Sequence, residues 1–361
     1  MSHLTDRTYK IKRHYRLRAL WVSISIFTIF LVLASQPTHA LAAKQKIRIT
    51  GQTMGTIYQV QMIAGDNYDA DKLKVLIENR LEKINQSMST FLTESEISRF
   101  NALKRTDQPL RVSKDFNQVM TLAKTLHRLT VGAWDGTLAP LVNLWGFGSA
   151  KATDQVPSHQ AIAARLSKVG FGHIEITQEN RLKKNVATVT LDLASIAKGH
   201  AVDAVAHLIV EKGFRHFLVE IGGEIYASGT RLDGRPWRVG LNRPERDAPF
   251  DAVYKVVDLS DKALATSGDY RNYFESNGRF YGHILDPRTG YPVTNGVVSV
   301  SVLADTCALA DGLATGIMVM GVEKGLALVN RLDHVECLIV VRDSNDRLND
   351  HLSKGFPAEK R

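Results

Sequence analysis

Cysteine is the scarcest informative residue in this 361-residue chain, which has two, Cys307 and Cys337. Two thiols cannot build a disulfide framework or a cysteine-based structural zinc site, and they allow at most one internal bridge. The common nucleotide and hydrolase signatures are missing too. No G-x-x-x-x-G-K-[ST], H-E-x-x-H or G-x-S-x-G occurs, which excludes a P-loop, a zincin helix and a nucleophile elbow. Trp145-Gly146-Phe147-Gly148 and Val169-Gly170-Phe171-Gly172 begin like a dinucleotide-binding turn but lack its later glycine. There is no repeat of fixed period and no low-complexity linker, so a solenoid or a loosely tethered array has no support. Nor does one sign of charge dominate the body of the chain. Of 46 Lys/Arg and 37 Asp/Glu, six bases (Arg7, Lys10, Lys12, Arg13, Arg16, Arg18) and one acid (Asp6) precede Ala43, which leaves forty bases against thirty-six acids. The net charge of +9 is therefore concentrated at the start and points to no nucleic-acid partner.

What is present is an ordinary globular composition, 44% apolar and 23% charged. The basic start runs into an uncharged apolar stretch from Ala19 to Ala34, then Ser35-Gln36-Pro37 and small residues in A-x-A spacing, Ala40 and Ala42. This order of regions predicts a secretory signal peptide over residues 1–42, with an uncleaved membrane anchor as the alternative. In both cases the positive flank stays in the cytoplasm. The rest is expected at the periplasmic face of a bacterial inner membrane, soluble or anchored by this segment. No cysteine follows the apolar run, so a lipid anchor is excluded.

Residues 43–361 read as one mixed unit, compact or bilobed. Strands are expected at Ile57 to Ile63, Ala187 to Leu193, His216 to Ile221, Trp237 to Leu241, Tyr254 to Leu259, Val297 to Leu303 and Glu336 to Val341. Apolar residues at three- and four-residue spacing predict helices over Leu73 to Met88 and over Phe116 to Leu129, the latter opened by Ser113 and stopped by Gly132. Further helices are expected at Ser158 to Val169, Ile196 to Lys212 and Thr306 to Met320. Hairpin-spaced strands among helices favour an α+β fold over a doubly wound one.

Four stretches could carry chemistry. On the last of these helices Asp311 and Thr315 are four apart and share a face, while Leu309, Leu313, Ile317 and Met320 mark another. A carboxylate and a hydroxyl are hard oxygen ligands suited to Mg²⁺. Alternatively, Asp311 caps or solvates the helix and Thr315 bonds back to the Asp311 carbonyl. In the run from Leu191 to Asp203 a strand enters a helix, with Ser195 near its start and Lys198 in its first turn, a place for a phosphate. A capped helix with a solvated lysine is the other reading. His283, ahead of the turn Asp286-Pro287-Arg288-Thr289-Gly290, is a candidate general base or a structural histidine. The stretch from Gly132 to Gly148 joins aromatic rings to small residues, enough to wall a flat heteroaromatic ligand or to pack a loop on the core.

In this order these stretches resemble the ApbE family of FAD:protein FMN transferases. Gln52-Thr53-Met54-Gly55-Thr56, Met88 to Leu92, Ser95 to Asn101, Glu220 to Ile225 and Ala265 to Tyr270 add to the resemblance, which runs from about residue 48 to residue 330. It implies an ApbE-like, T-fold-like unit that passes the FMN half of FAD to a threonine of an acceptor flavoprotein and releases AMP. By that resemblance Met54, Ala133, Trp134, Asp135, Asp192, Lys198 and Ile284 line the FAD site. The Ser195 carbonyl, Asp311 and Thr315 hold Mg²⁺, and His283 takes the acceptor proton, with Asp286 or a metal-bound hydroxide in competition. The acceptors it implies belong to membrane redox complexes, Rnf- or Nqr-type subunits or periplasmic reductases. FAD hydrolysis to FMN and AMP, or noncatalytic periplasmic flavin binding, are the alternatives. Gly136 stands where the family usually has proline, which should loosen the loop after Asp135.

Overall fold

In β1 (Lys44–Thr53) and β2 (Thr56–Gly65) buried positions recur at every second residue, the period of a sheet with one face on a core. The strands pair antiparallel with Thr53 opposite Thr56. Between them Met54 and Gly55 have φ of 49° and 72°, the left-handed pair that lets a two-residue hairpin follow sheet twist. The structure, a computed structural model, describes residues 44–357 apart from 67, 149–154, 178, 250 and 271. The expected signal peptide or anchor lies outside the described residues. Among the described residues no helix is long and apolar enough to cross a membrane.

Helix α1 (Ala70–Met88) buries Leu73, Ile77, Leu81, Ile84 and Met88 along one stripe. After α2 (Glu96–Ala102) and β3 (Leu110–Arg111), helix α3 (Lys114–Leu129) starts where the Ser113 side chain accepts the Phe116 N–H. It gives way to Val131 and Gly132, both at positive φ. Then come α4 (Ala139–Leu144), α5 (His159–Leu166), β4 (Ile174–Thr177), β5 (Arg181–Lys184) and α6 (Ala194–Glu211). The second half holds β6 (Phe217–Ile221), β7 (Glu224–Ser228), β8 (Trp237–Asn242), β9 (Val253–Leu259), β10 (Lys262–Gly268), β11 (Tyr273–Ser276) and β12 (Arg279–Gly282). It closes with β13 (Val297–Ala304), α7 (Cys307–Met320), α8 (Val322–Val329), β14 (Glu336–Arg342) and β15 (Leu348–Leu352).

Eight strands form one antiparallel sheet in the order β1-β2-β6-β7-β10-β13-β14-β15. Helices α1, α3, α6 and α7 contribute to the large core on one face, and the β8–β9 hairpin contributes to a second core on the other. Strand β6 shows the division: Phe217, Val219 and Ile221 enter the first core and Leu218 the second. Strand β13, covered on both faces, is buried along its whole length, which is why it reads as a nearly unbroken apolar run. A third cluster (Leu141, Trp145, Ile162, Phe274, Leu285) packs α4 and α5 against the β11–β12 hairpin. From Lys44 onward the chain packs as one compact unit. Cys307 and Cys337 are both buried free thiols.

Two expectations are corrected. Residues Ala187 to Leu193 form no strand. The Asn101 side chain takes the Leu191 backbone instead, accepting its N–H at 2.7 Å and donating to its carbonyl at 2.9 Å. The Val189 and Asp192 N–H groups go to the Val186 and Gly136 carbonyls, so these backbone groups are satisfied without a neighbouring strand. The helix opened by Ser158 stops at Leu166 rather than Val169. On α7 the expected apolar stripe is only part of the buried surface. Leu313 and Ile317 are buried, Leu309 and Met320 partly so, and Asp311, Gly312 and Gly316 are buried with them.

Candidate active site

Helices α6 and α7 cross closely because Gly199 has no side chain. A Cβ there would lie 2.5 Å from the Cys307 carbonyl oxygen and 2.7 Å from the Ala308 Cα. The start of α7 is tied to α6 by Asp203, whose two carboxylate oxygens accept the Cys307 and Ala308 N–H groups at 2.7 and 2.9 Å, an acid set against a helix N-terminus. One turn into α7, Asp311 is 4% exposed and its Oδ2 accepts the Gly199 N–H at 3.0 Å. A regular helix directs that N–H at the Ser195 carbonyl. Asp311 is therefore tied to the very turn of α6 that carries Ser195. It is neither a solvated nor a capping residue. Thr315 does not turn back on its own helix: its Oγ1 pairs with Ser267 Oγ of β10 at 3.0 Å.

Lys198 projects from α6 to Glu224, 2.5 Å from ammonium to carboxylate. It is an ion-paired lysine and not merely a solvated one. Glu224 is 3% exposed and opens β7 directly after Gly222 and Gly223, whose φ values of 61° and 103° turn the chain from β6. Gly222 resists a side chain, since a Cβ there would meet the Thr56 side chain at 2.9 Å, while the Lys198 stem lies in ordinary contact beside it. Burial works against the Lys198 charge, but Asp311 and Glu224 more than offset it and hold its pKa above the ordinary value. Burial raises Asp311 and Glu224 above the usual carboxylate range, with Lys198 opposing the shift in both. Two buried acids thus share one lysine.

The segment after α3 supplies the wall. Trp134 is 1% exposed; its backbone N–H reaches the Thr130 hydroxyl at 2.9 Å and its Nε1 donates to Ser195 Oγ at 3.0 Å. Asp135 spends its oxygens inside the fold, accepting the Thr137 N–H, the Thr137 hydroxyl and the Phe171 N–H at 2.8, 2.5 and 2.9 Å. The Gly136 carbonyl accepts the Asp192 N–H at 2.8 Å. These bonds hold the loop that Gly136 was expected to loosen. Asp192 in turn accepts the Ala194 N–H at 2.9 Å, and burial raises its pKa against that bond.

His283 follows β12. Its Nδ1 lies 3.1 Å from the Asn272 carbonyl, which can only accept, so Nδ1 carries the proton and Nε2 keeps a free lone pair. Burial lowers the His283 pKa, partly opposed by that bond. Asp286 does not share the position. Arg288 grips it through two nitrogens at 2.8 and 2.7 Å, closing the turn that Gly290 (φ 79°) completes.

Ala133, Trp134, Asp135, Asp192, Ser195, Lys198, His283, Ile284, Asp311 and Thr315 all line one cavity of about 420 Å³, within the range of small-molecule sites. Met54 is not among its lining residues; it sits at the β1–β2 turn, partly buried against the large core. The aromatic stretch divides. Phe147 lines the cavity, edge-on to His283, while Trp145 is buried among Phe274 and Tyr281 with its Nε1 donating to the Gly290 carbonyl at 2.8 Å. Glu224, Thr266 and Ser267 also line the cavity and had no role from the sequence. The two glycines before Glu224 were the available signal.

Among the described residues no three His, Cys, Asp or Glu side chains converge as a metal cage. The donors that do converge are one carboxylate, hydroxyls and the backbone of a helix turn, all hard oxygens. The buried acid excess over Lys198 would be relieved by a divalent cation, so the residues fit Mg²⁺.

Comparison with known proteins supplies the family. The model of the ApbE family matches residues 54–339. The chain is 42% identical over 313 residues to the FAD:protein FMN transferase of Vibrio cholerae, covering 86% of this chain and 92% of that protein. It superposes on the structure of flavin transferase ApbE from Vibrio cholerae with a TM-score of 0.79 at 40% identity, covering 87% of this chain and 99% of that one. The apo form of flavinyl transferase ApbE from Pseudomonas stutzeri gives 0.77 at 37% identity, covering 87% and 96%. With its motifs in order, its eight-stranded sheet and this cavity, the chain belongs to the ApbE family.

Proposed function

We infer that this chain transfers the FMN moiety of FAD to a threonine hydroxyl of an acceptor flavoprotein, with Mg²⁺, and releases AMP. One observation carries the reading. A buried carboxylate and a hydroxyl one turn apart on α7, an ion-paired lysine on α6 and a histidine after β12 open onto a single cavity. The names of the relatives, FAD:protein FMN transferase, support the same activity. In this reading Trp134, Phe147 and Ile284 pack against the flavin nucleotide, and Lys198 with the start of α6 faces its pyrophosphate. The Ser195 carbonyl, Asp311 and Thr315 would hold Mg²⁺, which when bound neutralises phosphate charge and polarises the phosphorus.

The chemistry is a phosphoryl substitution. The threonine oxygen forms a bond to the FMN phosphorus, the bond from that phosphorus to the bridging oxygen breaks, and AMP leaves with that oxygen. His283 Nε2 accepts the hydroxyl proton. Its lowered pKa keeps it neutral and ready at pH 7. Positioning does most of the rest, because a held hydroxyl outcompetes free water.

The acceptor belongs, on this proposal, to a membrane redox complex of the Rnf or Nqr type or to a periplasmic reductase. The basic, apolar and A-x-A segments of residues 1–42 support export to the periplasmic side. Chromatography of AMP tests the reaction. FAD turnover should be slow alone, rise when a threonine-bearing acceptor is added, and lose that rise when the threonine is changed to alanine. Rapid AMP and FMN release indifferent to the acceptor would make the chain an FAD pyrophosphatase instead.

A further inference from the structure

The Lys198–Glu224 pair poses a problem for a site that binds a pyrophosphate. A lysine that merely attracted phosphate would serve best uncompensated. Here its charge is spent on a neighbour that is 3% exposed and 2.5 Å away, at a position set by two left-handed glycines. Lys198, Glu224 and Asp311 all face this part of the cavity, and the Glu224 carboxylate, paired with the lysine, offsets its charge there. Glu224 therefore lowers the attraction of the cavity for an anion.

We propose that Glu224 is a positioning residue: it gives up ground-state affinity for the pyrophosphate in order to hold the Lys198 ammonium where charge develops during transfer. This rests on the functional reading above. A lysine stem has four rotatable bonds, and the Lys198 stem passes beside Gly222 at the β6–β7 turn without a hydrogen-bonding partner along its length to fix it. The buried carboxylate fixes the far end. Held there, the ammonium interacts more strongly with a transition state that accumulates charge on the bridging and leaving oxygens than with the bound ground state, which is the condition for raising turnover.

Two variants separate charge from position. In Glu224→Gln the carboxylate charge is gone and the neutral amide oxygen in its place holds Lys198 less firmly. FAD binding to metal-free protein in EDTA, followed by flavin fluorescence, should tighten about three- to tenfold, the effect of removing one like charge from a partly hydrated cavity. The turnover number with Mg²⁺ should fall about 10-fold or more. Glu224→Asp keeps the charge but is one methylene short, so metal-free FAD affinity should stay near that of the unaltered protein while turnover falls. In a Lys198→Met background the Glu224→Gln change should have little further effect on turnover, because a positioning residue has nothing left to position.

Weaker metal-free FAD binding in Glu224→Gln, together with a lower unfolding temperature, would show a structural role and overturn the proposal. So would unchanged turnover in both variants, or a loss of Mg²⁺ affinity measured calorimetrically without FAD, which would make Glu224 a metal ligand. Absence of FAD turnover in the unaltered protein would refute the functional reading, while the metal-free binding arm still tests the charge argument.

Discussion

Gly199→Ala separates two physical effects of opposite sign. In an exposed helix alanine is better than glycine by about 1 kcal/mol. At Gly199 the new methyl would lie 2.5 Å from the Cys307 carbonyl oxygen and 2.7 Å from the Ala308 Cα, both backbone atoms at the start of α7. Neither can rotate away, so one helix must retreat by roughly 1 Å. Overpacking of this kind costs about 1–3 kcal/mol. The retreat also stretches the Gly199 N–H bond to Asp311, a bond of a class worth about 0.5–1.5 kcal/mol. Together these outweigh the helix gain, and the variant should be destabilised by about 0.5–3.5 kcal/mol. Urea unfolding should show a lower midpoint with an unchanged slope. Because Asp311 moves relative to Ser195, Mg²⁺-dependent AMP release should fall by about 10²-fold, the scale for a 1 Å misplacement. A variant about 1 kcal/mol more stable with full turnover would refute the close-crossing argument.

Asp311→Asn should abolish Mg²⁺-dependent turnover without destabilising the metal-free protein. The folded-state pKa of Asp311 is raised, so ionising it costs the fold, and stability is lost as pH rises through that raised value; a thermal melt at pH 8 that is clearly lower than that of the unaltered protein would contradict this. His283→Asn should slow transfer about 10²–10⁴-fold while FAD still binds. Because burial lowers the His283 pKa, turnover of the unaltered protein should rise with pH through a midpoint below the ordinary 6.5; a midpoint above it would show a different base. Cys307 and Cys337 are buried, with burial raising the first well above a free thiol and the second to about 12. Neither should react with a thiol reagent before unfolding, and rapid labelling of the native protein would count against their placement.

Much of the frame was legible because local rules and burial agree in it. Ser113 and Ser158 cap the helices they were expected to open, and Gly213 and Gly321 follow α6 and α7 at positive φ. The misread stretch, Ala187 to Leu193, has strand composition, but its Leu191 backbone is paired with the side chain of Asn101, ninety residues away, and its Asp192 N–H with the Gly136 carbonyl, and no periodicity reports that. The helix carrying Asp311 looked amphipathic from its leucines, although small residues let nearly every face pack. Its polar pair could be named from spacing alone. What spacing could not supply was the cross-chain partner of each group: Gly199 for Asp311, Ser267 for Thr315, Glu224 for Lys198. Such partners are fixed by tertiary packing, so a sequence shows the donor and not the acceptor.

The most direct test of FMN transfer to protein incubates the full chain with FAD, Mg²⁺ and a candidate acceptor, then reads the intact mass of the acceptor and maps the modified residue. The expected product is an acceptor heavier by one FMN less water, on a threonine, with AMP released in equal amount and both lost in Asp311→Asn. An acceptor of unchanged mass while FAD is consumed would contradict it.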